Sequence, residues 1–164
     1  MYRFLFSRKF SMDIKIYNLY DHPEYIKTVA KRYRNVFFKD PMDNLHNTRY
    51  CIQHACQKNK IPQTLIVFYK DIPVGTAAIR NCDIAYRQDL SPRLANVFVL
   101  PKYRKMWIGT LLQKEVLKIT KKLWYKKIYL YTKLEWYYEK TWRIFKELLP
   151  VNKKEFERLY VHKI

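Results

Sequence analysis

The chain has 164 residues, 49% of them apolar and 17% aromatic, enough for one domain around a single core and too apolar for a disordered segment. Thirty-three Lys and Arg stand against fourteen Asp and Glu, a formal charge of +19, so the partner is expected to be negative: nucleic acid, an anionic membrane, an acidic protein or the phosphates of a small molecule. No apolar run approaches the ~20 residues that a membrane span needs.

Residues 1–11, MYRFLFSRKFS, mix bulky aromatics with three basic residues and precede a second methionine, Met12. They lack the uninterrupted apolar core of a signal peptide and read as an N-terminal extension from an upstream start, with a weak amphipathic anchor as the alternative. Residues 12–164 are expected to form the domain. Ile14, Ile16 and Leu19 predict a first strand with one buried face. His22-Pro23 opens a helix whose apolar stripe is Ile26, Val29, Ala30, Tyr33 and Phe37, with Lys27, Lys31, Arg32 and Arg34 on the solvated side. The turn formers from Asp40 to Asn47 predict a loop, after which Thr48 caps a second helix reaching Lys58. Cys51, His54 and Cys56 lie in that stretch without a second ligand pair, so a structural role is favoured over a metal site. With Cys82 the cysteines are three and lack a C-x-x-C pair, which fits free thiols in a reducing cytoplasm.

Thr64–Tyr69, a turn at Lys70-Asp71, and Val74–Ile79 predict a β-hairpin. The polar stretch Asn81–Pro92 is a loop carrying Asp83, Arg87 and Asp89. Leu94–Leu100 is apolar, β-branched and aromatic, which predicts a strand buried on both faces, and Pro101 ends it. Lys102, Tyr103, Arg104 and Lys105 then place three positive charges in four residues. A helix follows, with Ile108, Leu111, Leu112, Val116, Ile119 and Leu123 on the apolar face and Gln113, Lys114, Glu115, Lys118, Lys121 and Lys122 on the other. A strand, basic turn and helix in that order aim free backbone N–H groups and the positive end of a helix dipole at one spot, a place for phosphate; an ordinary basic turn is the plainer reading. Lys121, Lys122, Lys126 and Lys127 enclose Trp124 and Tyr125, a pattern that fits a nucleic-acid stripe with stacking aromatics. A solvated helix end, whose lysines complement the dipole, is preferred there. Lys127–Thr132 predicts a strand, Leu134–Lys140 a short helix, and Trp142, Ile144 and Leu148 a further strand. A turn at Asn152-Lys153 leads to a last strand through Phe156, Leu159 and Val161. Spacing alone gives the class α/β.

The stretch Leu94–Lys122 resembles motif A of the GNAT acyltransferases, in which a strand ending V-x-P-x-Y-R is followed by a glycine-rich turn that opens a helix. Val99, Pro101, Tyr103, Arg104, Ile108 and Gly109 match, while Trp107 stands at the first motif glycine and Lys105 where glycine is frequent. Thr64–Arg80, Asp89–Val99, Lys127–Thr132 and Tyr137–Trp142 are similar to other GNAT segments, so the resemblance covers most of residues 12 to 163. Asp89-Leu90-Ser91-Pro92 resembles a GNAT subgroup in which tryptophan follows; here Arg93 does.

The resemblance implies a mixed, mostly antiparallel sheet of about seven strands with helices on both faces. It implies a cytoplasmic N-acetyltransferase that uses acetyl-CoA as co-substrate, no metal, and a small-molecule or peptide amine as acceptor in a ternary complex. Phe98 and Val99 would hold the acyl carbonyl and pantetheine, and the turn Arg104, Lys105, Met106, Trp107, Ile108, Gly109 and Thr110 would hold the pyrophosphate. Tyr138, in W-Y-Y-E-K-T-W, matches the tyrosine of F-Y-E-K-x-G-W and would be the general acid, although Thr141 replaces the family glycine and a merely packed tyrosine stands as the alternative. For a general base, Asp43, His46, Asp83 and Glu135 stay open, because Asn96 takes the place of the acidic residue often found on the central strand. The alternative function is a binding module on the same fold that has lost acetyl transfer and holds nucleic acid or an acidic partner. In either case the charge predicts non-specific nucleic-acid binding at low salt.

Overall fold

In the computed structural model the described residues are 13–37, 44–81, 86–134, 137–139, 142–152 and 155–164. The extension expected at 1–11 therefore lies outside the described residues, as does Met12. The described strands are β1 (Ile14–Asn18), β2 (Gln63–Tyr69), β3 (Ile72–Arg80), β4 (Arg93–Val99), β5 (Lys127–Thr132), β6 (Arg143–Asn152) and β7 (Glu155–Lys163). The helices are α1 (Ile26–Val36), α2 (Leu45–His54) and α3 (Ile108–Lys122). The strands form one seven-stranded sheet in the order β1-β2-β3-β4-β5-β7-β6. Every pairing is antiparallel except β4 with β5. This is the mixed, mostly antiparallel sheet of seven strands that the resemblance implies, where spacing alone gave only α/β.

β2 shows why the sheet sits in the middle. Every residue from Gln63 to Phe68 is buried, because alternate side chains feed two different cores. Leu65 and Val67 join Val74, Ala77 and Ile79 beneath Ile108, Leu112 and Val116 of α3. Ile66 and Phe68 face Val29, Ala30 and Tyr33 of α1 and Ile52 of α2 on the opposite side. The β2–β3 turn manages without glycine because Lys70 and Asp71 both take positive φ, 47° and 64°, as a two-residue hairpin loop requires.

Several expectations are corrected. The second helix is capped by Asn44, whose side chain accepts from the Asn47 N–H at 2.8 Å, and it ends at His54 rather than Lys58. Thr48 lies inside that helix and is buried, its hydroxyl donating back to the Asn44 carbonyl at 3.0 Å. Phe37 falls just past the end of α1 and is 37% exposed. Gln113, assigned to the solvated face of α3, is buried and accepts a 2.9 Å hydrogen bond from Trp142 Nε1. The indole donor needs an acceptor inside the core, and Gln113 supplies it. Of the short helix expected from Leu134 to Lys140, Tyr137–Glu139 is a turn, closed by Trp142 N–H to Tyr138 C=O at 2.8 Å; residues 135, 136 and 140 lie outside the described residues.

The central strand departs furthest from its expectation. Arg93 and Leu94 are buried, but Asn96 through Val99 are only half-buried. Parallel pairing with β5 is confined to Arg93 opposite Tyr129, after which the two strands part. The cause is a bulge: Asn96 has φ 51°, and the β3–β4 register shifts between Thr76 and Ala78. Arg80 Nε donates to Asn96 Oδ1 at 2.9 Å and the Thr76 hydroxyl to the Asn96 carbonyl at 3.4 Å, so β3 holds the bulge from behind. Arg93, at the strand start, lays its guanidinium 3.7 Å from the centroid of the Tyr131 ring. Among the described residues no helix is long and apolar enough to cross a membrane.

Candidate functional site

Where β4 and β5 separate, a cleft of about 770 Å³ opens. One wall is Val97, Phe98 and Val99 of β4, and its far end is Tyr103, Arg104, Lys105 and Trp107 of the following turn with Ile108, Gly109 and Thr110 of α3. Val36, at the end of α1, together with Leu134, Tyr137 and Tyr138, completes it. Tyr138 and all the cofactor-site residues predicted from the sequence therefore line one cavity except Met106, which is half-buried against the main core.

The local backbone explains this convergence. The Leu100 N–H makes a last sheet bond to the Val74 carbonyl at 2.8 Å, and Pro101, which has no N–H to give, starts a single 3-10 turn over Pro101–Tyr103. Arg104 is extended, and Lys105 and Trp107 are both left-handed at φ 65° and 61°. That double reversal swings the chain round so that α3 starts at Ile108, pointing into the cleft. Leu111 N–H is bonded to the Trp107 carbonyl at 3.0 Å, and the N–H groups of Ile108, Gly109 and Thr110 precede that first helical bond. Trp107 offers no side-chain cap. Three backbone donors and the positive end of the helix dipole thus face the cavity.

Arg104 adds a formal charge at the same end. Its Nε donates to the Val99 carbonyl at 3.1 Å, which ties the guanidinium to the end of β4. Its two Nη groups have no hydrogen-bond partner among the described residues. Trp107 takes the glycine-like conformation that its place in the motif demands, and its indole is 69% exposed at the mouth of the cleft rather than packed on the sheet edge.

Two glycines are explained by contacts. A Cβ on Gly75 would lie 2.6 Å from the Phe98 carbonyl oxygen, so its bare backbone lets β3 close on β4 at the cleft wall. A Cβ on Gly109 would overlap the Tyr137 hydroxyl, which sits directly over this first turn of α3. Tyr137 is half exposed, and its ring meets Tyr138 edge-on with centroids 4.9 Å apart. Tyr138 is 6% exposed and packs against Trp142 and Tyr160. Burial, with a smaller contribution from neighbouring Tyr137, pushes its phenol well above the ordinary tyrosine range, so the group keeps its proton at every physiological pH.

Of the four candidate bases, His46 is exposed on α2, and Asp43, Asp83 and Glu135 lie outside the described residues. Cys51 is exposed, and burial pushes the half-buried Cys56 thiol up to about 11. No group of three His, Cys, Asp or Glu residues is gathered among the described residues. Sequence reading missed Val36, Val97, Leu134 and Tyr137 as cleft residues. Only Tyr137 carried a local signal, as the neighbour of a motif tyrosine.

No family model and no curated protein matches this sequence. Solved structures do match in fold. An acetyltransferase from Streptococcus agalactiae is 17% identical, with a TM-score of 0.63 over 93% of this chain and 99% of that one. Arabidopsis thaliana Naa50 in complex with the bisubstrate analogue CoA-Ac-MVNAL is 18% identical, with a TM-score of 0.63 and the same coverage of 93% and 99%. A GNAT family acetyltransferase from Elizabethkingia anophelis with acetyl-CoA bound is 16% identical, with a TM-score of 0.53 over 93% and 99%. The chain has the GNAT fold.

Proposed function

We propose that this chain is a GNAT acetyltransferase that moves the acetyl group of acetyl-CoA to a small-molecule or peptide amine within a ternary complex. The observation that carries the reading is the uncapped start of α3, set with Arg104 at one end of a cleft whose side is a stretch of β4 paired with β3 on one edge and without a β5 partner on the other. A pyrophosphate is the anion that matches donors so arranged: the N–H groups of Ile108, Gly109 and Thr110 with the Arg104 guanidinium beside them. Lys105 and Thr110 border the same end, and Trp107, at the mouth, is placed to cover the adenine. The backbone of Phe98 and Val99, left without a β5 partner, takes the pantetheine arm and the acyl carbonyl. The ligands in the Arabidopsis and Elizabethkingia structures, CoA-Ac-MVNAL and acetyl-CoA, support the same co-substrate here.

In the reaction the amine lone pair attacks the acetyl carbon, negative charge moves to the carbonyl oxygen, and the C–S bond then breaks with its electron pair going to sulfur. Backbone donors of β4 face the developing oxyanion. Tyr138 faces the departing sulfur. Tyr138, whose phenol burial raises above the ordinary ~10, acts first as a hydrogen-bond donor to the growing thiolate, yields its proton as charge accumulates there, and takes one back from solvent once CoA has left. The proton shed by the amine goes to solvent or to a base outside the described residues. We place the reaction in the cytoplasm and take residues 12–164 as the catalytic domain. The test is release of free CoA thiol from acetyl-CoA in the presence of polyamine, aminoglycoside and peptide amines. Amine-dependent release above the hydrolysis rate is expected; acetyl-CoA that neither binds nor turns over would leave the binding-module reading standing.

A further inference from the structure

α3 is 15 residues long, so its two ends lie about 22 Å apart. The end remote from the cleft ends in a glycine-type helix stop. Trp124 N–H bonds to the Lys121 carbonyl at 3.0 Å and Tyr125 N–H to the Thr120 carbonyl at 3.2 Å, the paired bonds of a Schellman motif. Trp124 holds the left-handed position at φ 65° where glycine is usual. Its side chain projects clear of the helix and is 86% exposed, more than any other large apolar side chain among the described residues. It forms the lip of a second groove of about 500 Å³, whose walls include Ile119, Leu123, Lys58 and Lys122.

The charges at this groove are unbalanced. The acids beside it, Asp21 and Glu115, are each matched by a lysine, Lys58 at 2.7 Å and Lys118 at 3.5 Å. Lys121, Lys122 and Lys126 remain as exposed surplus cations within three residues of Trp124. An indole open to solvent, a groove beside it lined by apolar Leu65, Ile119 and Leu123 and by polar Asn18, Asn59 and Gln63, and surplus ammonium groups at its edge fit one kind of ligand.

We propose that this groove binds single-stranded nucleic acid, with an unpaired base stacked on Trp124 and flanking phosphates held by Lys122 and its neighbours. A single strand is specified because stacking needs a base whose face is free, which a duplex does not offer, and because base–aromatic stacking tolerates any sequence. The site is independent of the acetyl-transfer reading. It gives the +19 charge a place at which to act, whereas charge alone attracts any polyanion equally.

The experiment is fluorescence anisotropy of a labelled oligouridylate of about ten nucleotides, and of a labelled RNA duplex of equal length, with the full chain over a series of salt concentrations. Trp124→Gly removes the indole and eases the left-handed φ, so a loss of binding is not a loss of fold. The variant is expected to bind the single strand about fivefold to a hundredfold more weakly, with the slope of log K against log salt unchanged and duplex binding unaffected. Lys122→Gln is expected to reduce that slope by about 0.7, the value for one phosphate contact on a single strand. Equal binding by wild type and Trp124→Gly would overturn the proposal. So would equal losses for single strand and duplex, or dependence on Trp124 that is seen only with phosphatidylserine vesicles.

Discussion

Replacing Trp107 by glycine tests the site where this chain differs most from the motif it carries. Two effects oppose each other. The left-handed backbone at φ 61° costs a non-glycine residue ~1–2 kcal/mol, which glycine relieves. The indole is 69% exposed, so about a third of an area of ~250 Å² is buried, worth ~2 kcal/mol at most. The net change is expected to stay within about 1 kcal/mol of zero, a Tm shift of no more than ~2–4 °C for a chain of this size. Acetyl-CoA binding, followed by calorimetry on the same samples, is expected to be unchanged or modestly stronger, because the indole stands at the mouth of the cleft and the amides behind it are uncapped. A Tm fall of ~8 °C or more would mean that the indole makes contacts far larger than its exposure allows. Binding that appears in Trp107→Gly alone would mean that the natural site is blocked and would refute the enzyme reading.

Gly109→Ala is expected to weaken acetyl-CoA binding modestly, by less than about tenfold, because the new methyl meets only the hydroxyl at the far end of the half-exposed Tyr137 side chain, which must swing aside. Adding Tyr137→Phe should restore it, since the next nearest atom, Tyr137 Cζ, lies at 3.6 Å; failure of the double variant would place the conflict elsewhere. Tyr138→Phe is expected to lower kcat by about tenfold or more with acetyl-CoA affinity nearly unchanged, while Tyr137→Phe alone has little effect on kcat, and steady-state kinetics with a direct binding measurement separate the two outcomes. Alkaline pH is expected to unfold the protein early. Burial raises the phenols of Tyr138 and Tyr33, the latter to about 12, so their contribution is complete below the unfolded value near ~10 and is lost as pH climbs through the folded values. Thermal melts at about pH 8 and about pH 11 should differ less in a Tyr33→Phe variant than in wild type.

Most of the fold was legible because its signals are local. Alternation gave β1 and β5, a β-branched and aromatic run gave β2, the apolar stripe gave α1 and α3, and Pro101 marked the end of β4 through its missing N–H. What stayed hidden depends on residues far apart in sequence. Asn44 and Thr48 are both good cap residues four apart, and nothing within the segment chooses between them. Gln113 looked solvated because its partner, the Trp142 indole, arrives 29 residues later from another element. The bulge at Asn96 and the parting of β4 from β5 arise from strand pairings and from the Arg80 and Thr76 contacts of a different strand, so the central strand read as buried throughout when half of it forms the cleft wall. The site residues themselves were found through the motif, while Val36, Val97 and Leu134 entered only with the tertiary fold, and Tyr137 had for a signal only its place beside a motif tyrosine.

The central claim is that the uncapped start of α3 and the Arg104 guanidinium together form a pyrophosphate site. Calorimetric titration of acetyl-CoA into wild type, Arg104→Ala and Lys102→Ala tests it most directly, because both substitutions remove one exposed positive charge from the same turn and only Arg104 lines the cleft. Wild type is expected to bind in the micromolar range, Arg104→Ala about tenfold or more weakly, and Lys102→Ala within about twofold of wild type. Equal losses in the two variants would reduce the site to diffuse attraction by a cationic surface, and the absence of binding heat and of any acetyl-CoA-induced rise in Tm for wild type would contradict the account.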